Sequence, residues 1–403
     1  MSLFDKFRPL AEARAALGSA AIPPVATPID EVRSAAIGVI GGREVLLAGT
    51  NNYLGLTMDP DVCEAAVEAI RRSGTGTTGS RMANGSYRDH QALEQALADA
   101  YGWASAIVFS TGYQANLATI STLAGRGDPL LLDSDSHASI YDGARLGQAE
   151  TVVFRHNDPE NLDRRLSRLG ERARSALIVV EGLYSMLGDQ PPLREFVEVK
   201  RRHGAWLLLD EAHSFGVFGD RGLGLAEQLG LLDGVDFIVG TFSKSLGAIG
   251  GFCVSPHAEL EWLRLAARPY IFTASPSPAT IAGTRVALAK VLAGRDLRAR
   301  LWDNIQRLYT GLAEHGFVLG STQPGPVAAV ILPNRALALA CWQWLLDRGV
   351  YANLMIPPAT PKGLNLLRIS LSAAHDSEQV GRIVDALAAF AERHPEAVAQ
   401  AGS

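Results

Sequence analysis

Short apolar runs alternate with stretches in which apolar residues recur every three or four positions, and this alternation organises most of the chain. The runs at 105–110 (SAIVFS), 129–133 (PLLLD), 150–156 (ETVVFRH), 176–182 (ALIVVEG), 205–210 (AWLLLD), 236–243 (DFIVGTFS) and 250–255 (GGFCVS) are mostly apolar without a regular polar face. That is the pattern of strands covered on both sides. Helical patterns separate many of them, as at 89–101, where Leu93, Ala96, Leu97 and Ala100 share one stripe. The combination predicts an α/β domain on a mostly parallel, seven-stranded sheet.

After about residue 278 long helical patterns take over. Two strand-like segments, 326–333 (PVAAVILP) and 363–372 (GLNLLRISLS), then flank a helix around 336–346. This predicts a second, smaller α+β domain. The expected division is a helical segment over 1–45, a large domain over 46–285 and a C-terminal domain over 286–403.

A net charge of -5 gives no general attraction to nucleic acid or anionic lipid, so an anionic ligand has to be bound by local groups. Cys63, Cys253 and Cys341 have no CxxC or Cys/His spacing, which argues against zinc and against a disulfide framework. They read as small buried hydrophobes in a reducing compartment. The first eighteen residues mix charge with apolar positions at helical spacing, unlike a signal peptide or a membrane span. A cytoplasmic protein is expected, with a peripheral contact to the inner membrane face left open.

Chemistry concentrates where the apolar runs end. Asp210 closes the run 206–209, placing a carboxylate at the carboxyl end of a buried strand, where open α/β sheets bind ligands; His213 follows three residues later. A strand-end aspartate that only bonds loop amides is the plain alternative. Lys244 lies in TFSKSLGA, with hydroxyls at Thr241 and Ser243, just past another predicted strand. A lysine at a closed strand end suits a Schiff base with a carbonyl cofactor, and the neighbouring hydroxyls suit a phosphate.

Ser110-Thr111-Gly112-Tyr113 leads from a strand into a helix, combining a hydroxyl cap, a glycine and free N–H groups that favour an anion. His137, after the run 129–133, is either a ring stacked on a flat cofactor or a satisfied loop histidine. The segment from Glu181 to Ser185 repeats the strand-end theme, and Ser185 joins the candidate cofactor contacts. Five strand ends thus bring polar groups to one sheet edge. Gly74-Thr75-Gly76-Thr77-Thr78-Gly79 fits the dinucleotide pattern G-x-G-x-x-G, but a helical stretch precedes it where the fingerprint requires a strand.

The motifs GTGTTGSRMANGSYRDH, FSTGYQANL, DSDSHASIYDG, EGLYSMLGD, DEAHSFG, TFSKSLGAIGG and RPYIFTASP together resemble the α-oxoamine synthases, fold-type-I enzymes dependent on pyridoxal 5'-phosphate (PLP). The likeness runs from about 45 to 375. It implies a PLP-dependent acyltransferase, in the branch that condenses L-serine with a long-chain acyl thioester carried by coenzyme A or an acyl carrier protein. A branch using glycine or alanine remains the alternative. By position, Lys244 matches the lysine that bonds the cofactor and serves as base. Asp210 matches the acid facing the pyridine nitrogen, His213 the donor to the ring oxygen and His137 the stacking imidazole. Gly112, Tyr113, Thr241 and Ser243 match phosphate contacts, and Thr273 one supplied by the second subunit of a homodimer. Arg368 and Asn52 match groups that receive the substrate carboxylate.

Overall fold

The computed structural model describes residues 2–15 and 22–398. Two compact units are present, Asn51–Asp303 and Met1–Thr50 together with Asn304–Ser403. The larger unit therefore runs past the expected boundary at 285/286, and the division falls within the helix Arg295–Glu314.

All seven expected strands form, as β1 (Ser105–Phe109), β2 (Pro129–Asp133), β3 (Glu150–Phe154), β4 (Leu177–Glu181), β5 (Trp206–Asp210), β6 (Phe237–Thr241) and β7 (Gly251–Ser255). Their spatial order is β1-β7-β6-β5-β4-β2-β3. β2 to β6 pair in parallel, whereas β7 runs antiparallel to both its neighbours, so β1 shares the common direction. β1, β2, β4, β6 and β7 are buried along their whole length and β5 from Leu207 onward, and Ile107, Leu130, Leu132, Val179, Leu208 and Val239 form one core with apolar residues of the covering helices. Burial on both faces is why these strands read as unbroken apolar runs.

Two helices start just beyond strands of this sheet, α1 (Gly112–Leu123) after β1 and α2 (Ala138–Gly147) after β2. Thr111 caps α1 by accepting the N–H of Gln114 at 3.0 Å. A side chain on Gly251 would lie 2.6 Å from the Thr111 carbonyl and from the Gly112 Cα, so a glycine lets β7 enter the sheet against the start of α1. Between β6 and β7 the chain makes a hairpin, closed by Phe242 N–H to the Gly250 carbonyl and Ala248 N–H to the Phe242 carbonyl, each at 2.9 Å.

The smaller unit has two sheets. Glu31–Val32, Ile37–Ile40, Arg43–Leu47 and Val350–Tyr351 form one; Val318–Leu319, Val327–Leu332, Asn365–Ser370 and Asn353–Met355 form the other, with the helices Arg335–Asp347 and Ser377–Arg393. The strands before residue 47 correct the expectation of a helical segment over 1–45. There Gly41 and Gly42 turn the chain with positive φ, and the flanking strands pair from Ile37 with Leu46 to Ile40 with Arg43. Within that segment a helix does occupy Arg8–Ala15. Cys253 and Cys341 are buried as expected, but Cys63 is exposed, on a helix (Pro60–Ser73) that buries little beyond Val62 and Ala69. Among the described residues no helix is long and apolar enough to cross a membrane.

One ionic group ties the ends of β2 and β3 together. His156 lies with Nδ1 2.7 Å from Asp133 Oδ1 and Nε2 2.7 Å from Asp189 Oδ2, and the Tyr184 ring meets it edge-on at 4.5 Å. Burial opposes the imidazolium, but the two carboxylates outweigh it and raise its pKa to about 10. A raised folded-state pKa contributes stability that is complete below the unfolded value of ~6.5 and is lost as pH rises toward the folded value. Replacing His156 with Gln is therefore expected to cost roughly 3 kcal/mol at neutral pH. It should also flatten the decline in melting temperature between neutral pH and about 10. An unchanged slope in the variant would refute the ionic assignment.

Candidate active site

The parallel strands carry their carboxyl ends to one edge of the sheet, and β7, running the other way, brings its amino end to the same edge. A cavity of about 340 Å³ opens there. Its lining joins Gly112 and Tyr113 after β1, His137 after β2, Glu181 and Asp210 at the ends of β4 and β5, His213, and then Thr241, Ser243 and Lys244 after β6. Five strand ends thus meet in one place, as the sequence pattern implied.

Asp210 and Glu181 are register partners on adjacent strands, and both are buried. Two carboxylates this close cannot both keep a charge cheaply. Asp210 is the better served: Oδ2 accepts from Asn116 Nδ2 at 2.7 Å and Oδ1 from the Ala212 N–H at 2.9 Å. Glu181 accepts the His137 N–H, at 2.5 Å. Burial, then the neighbouring charge of Asp210, drives the Glu181 pKa well above the usual carboxylate range, against the pull of that N–H and of Lys244. Glu181 is therefore the acid of the pair that holds its proton more tightly than a free carboxyl group does.

His137 Nδ1 lies 2.8 Å from Ser139 Oγ, and its ring meets that of Tyr113 edge-on at 6.4 Å. Desolvation lowers the imidazole's pKa, with Asp210 opposing and Lys244 reinforcing the shift, so the ring is held neutral near pH 7. His213 Nδ1 lies 2.7 Å from the Tyr53 hydroxyl, which fixes the ring's position.

Gly112 starts α1 against β6: a Cβ there would lie 2.7 Å from Thr241 Cβ, so only glycine brings the helix start this close to the Thr241 and Ser243 hydroxyls. Thr241 Oγ1 donates to the Gly250 carbonyl at 3.0 Å and lies 2.9 Å from Ser243 Oγ. Tyr113 donates its hydroxyl to Asp142. A helix start, two hydroxyls, an amine and a buried carboxylate on one wall fit an aromatic cofactor that carries a phosphate, an aldehyde and a basic ring nitrogen.

Four expected residues are not among those lining this cavity. Ser185 is half-buried and does not line the cavity. The turn after Gly182 carries the chain away from the strand end, with Tyr184 N–H bonding the Asp189 carbonyl at 2.9 Å. Thr273 also stays off the cavity wall, accepting from Gln114 Nε2 at 3.1 Å. Asn52 donates to Thr57 Oγ1 at 2.7 Å and is absent from the wall. Arg368 is a buried residue of the strand Asn365–Ser370, in the smaller unit. Conversely, the lining includes Asn116, Ser139 and Ile249, which sequence reasoning did not single out.

Comparison with known proteins agrees with this geometry. The aminotransferase class I and II family profile matches residues 43–387. A serine palmitoyltransferase of Caulobacter vibrioides is 54% identical over 384 residues, 95% of each chain. One of Sphingomonas paucimobilis is 50% identical over 385 residues, 95% of this chain and 91% of the relative. A solved structure of SPT with a PLP internal aldimine superposes with a TM-score of 0.95 at 48% identity, covering 98% of this chain and 100% of that one. A profile spanning most of the chain, relatives at this level of identity and a strand-edge cavity with lysine and aspartate together lead to one conclusion: the chain belongs to the aminotransferase class I and II family and, within it, to the α-oxoamine synthases.

Proposed function

We propose that this protein catalyses the PLP-dependent, decarboxylative condensation of L-serine with a long-chain acyl thioester to give 3-oxosphinganine, the activity of a serine C-palmitoyltransferase at the entry to sphingolipid synthesis. The observation that carries the reading is the shared cavity of Lys244 and Asp210, together with the serine palmitoyltransferase relatives at half identity or more. Bound there, the cofactor would supply an electron sink for the pair left at the amino acid's α-carbon.

The chain's own groups divide the remaining work. Lys244 would hold the cofactor covalently and, once released, would take and return the proton at the α-carbon. Asp210 would face the pyridine nitrogen and favour a proton there. His213 would donate to the ring oxygen and His137 would cover the ring face. Gly112, Tyr113, Thr241 and Ser243 would receive the phosphate; Ser185, off the cavity wall, would act only indirectly. Arg368 grips the serine carboxylate through its planar fork, with Asn52 assisting.

Thr273 is assigned to the phosphate of a second subunit, which makes the working form a homodimer; its absence from the cavity of its own chain favours that assignment. We place the protein in the cytoplasm. The exposed Leu3, Phe4, Phe7 and Leu10 are a contact for the inner membrane face, where the lipid-like product belongs.

Purified protein incubated with PLP, L-serine and either palmitoyl-coenzyme A or a palmitoylated carrier protein is expected to release 3-oxosphinganine, identified by mass. Product from glycine or alanine but not from serine would reassign the branch. Lys244→Ala should lower turnover by about 10²–10⁴-fold, the range for a positioned proton-transfer group. It should also lose the cofactor label that borohydride fixes on the wild-type peptide containing residue 244; a label retained in the variant would remove the central assignment. Because Glu181 serves as a neutral acceptor, Glu181→Gln should keep folding stability and most turnover. Glu181→Ala should cost about 1–3 kcal/mol in thermal unfolding. Equal losses in the two variants would contradict that role.

A further inference from the structure

We propose that Asn116 is a positioning residue that fixes the carboxylate of Asp210 and, through Ser139, ties it to the imidazole of His137. The inference rests on the reading of this cavity as the PLP site. Asn116 lies on α1, buried, and lines the cavity wall. Its Nδ2 donates twice, to Asp210 Oδ2 at 2.7 Å and to Ser139 Oγ at 3.0 Å, so both amide hydrogens are committed. The Ser139 N–H, which can only donate, reaches His137 Nδ1 at 3.2 Å and makes that nitrogen an acceptor. Ser139 Oγ, 2.8 Å from the same nitrogen, is then the donor of that bond.

One polarity runs through this chain of bonds. The amide presents its NH₂ side to Asp210 Oδ2. Nδ1 of His137 accepts the Ser139 N–H, which places the proton of the neutral ring on Nε2. The other end of the amide agrees: Asn116 Oδ1 is buried with no hydrogen-bond partner among the described residues. A buried acceptor left unmet costs stability, and such a group calls for a reason. Here the reason is that the amide's orientation is dictated by the acid and the hydroxyl it serves. An aspartate at 116 would set a second carboxylate against Asp210. An alanine would leave Oδ2 without its donor and Ser139 without its link to the acid.

The test uses the full-length protein stripped of cofactor, with PLP as the titrant. Dissociation constant, absorption spectrum of the bound cofactor, kcat, and KM for L-serine are measured for wild type, Asp210→Asn, Asn116→Ala, Asn116→Asp, Ser139→Ala and the double variant Asn116→Ala/Ser139→Ala. Asn116→Ala is expected to weaken PLP binding by about tenfold or more, the worth of one hydrogen bond to a charged group. It should shift the bound cofactor's absorption and lower kcat more than it changes KM. Asn116→Asp should be worse than Asn116→Ala in each measure, and Ser139→Ala a milder loss of the same sign. Losses in Asn116→Ala and Ser139→Ala should fall short of additivity when combined, because they interrupt one chain.

If wild type takes up PLP and Asp210→Asn impairs it, while Asn116→Ala keeps wild-type affinity and spectrum, the inference on Asn116 is overturned and the cofactor reading stands. If wild type takes up no PLP, both fall. Should Asn116→Ala fail to fold, wild-type affinity and spectrum in Ser139→Ala would overturn the link to His137.

Discussion

Two buried acids set side by side at the carboxyl ends of adjacent strands, Asp210 on β5 and Glu181 on β4, are the constraint on which the cavity depends. A buried carboxyl group left without partners is costly. Three features accommodate Asp210: an amide from α1, a backbone N–H from the following turn, and a neighbour, Glu181, whose own pKa burial drives up. Strand register brings the two acids together, and the hydrogen bonds they receive tell them apart. Lys244, His137 and His213 line the same cavity.

Much of this was legible in the chain because it depends on local composition. Strands covered on both faces have no polar alternate, so those of the sheet interior stood out as apolar runs, while the edge strand β3 keeps exposed Glu150 and Thr151; a polar residue closing a buried run marks a ligand edge. Asp210, Thr241, Lys244 and the start of α1 follow from that rule. The strands Ile37–Ile40 and Arg43–Leu47 escaped it because they form a hairpin around two glycines, with Arg43 and Glu44 exposed, instead of a buried run. Asn116 escaped for another reason. An asparagine inside a helical pattern carries no signature, and its partner Asp210 stands 94 positions away. Long-range hydrogen bonds of this kind are set by packing, not by neighbours in sequence. Glu181 was visible as a strand-end acid, but its neutrality depends on strand register and so belongs to the fold.

The glycines make a related point. G-x-G-x-x-G at Gly74–Gly79 attracts attention as a motif, yet the glycines that matter at the sheet edge lie outside it. Gly112 and Gly251 sit where α1, β6 and β7 crowd together, and in each case the missing Cβ would occupy space already taken by Thr241 or by the turn at Thr111. Close approach of backbones, not a repeating pattern, is what these positions require.

The antiparallel course of β7 has a mechanical consequence. Lys244 hangs from a nine-residue loop, 242–250, whose two ends are anchored in adjacent buried strands and cross-linked at Phe242 and Gly250. In the proposed reaction Lys244 would part from the cofactor and rejoin it in every cycle, and a short loop tied at both ends favours covering that distance by rotation about the four methylenes of the side chain.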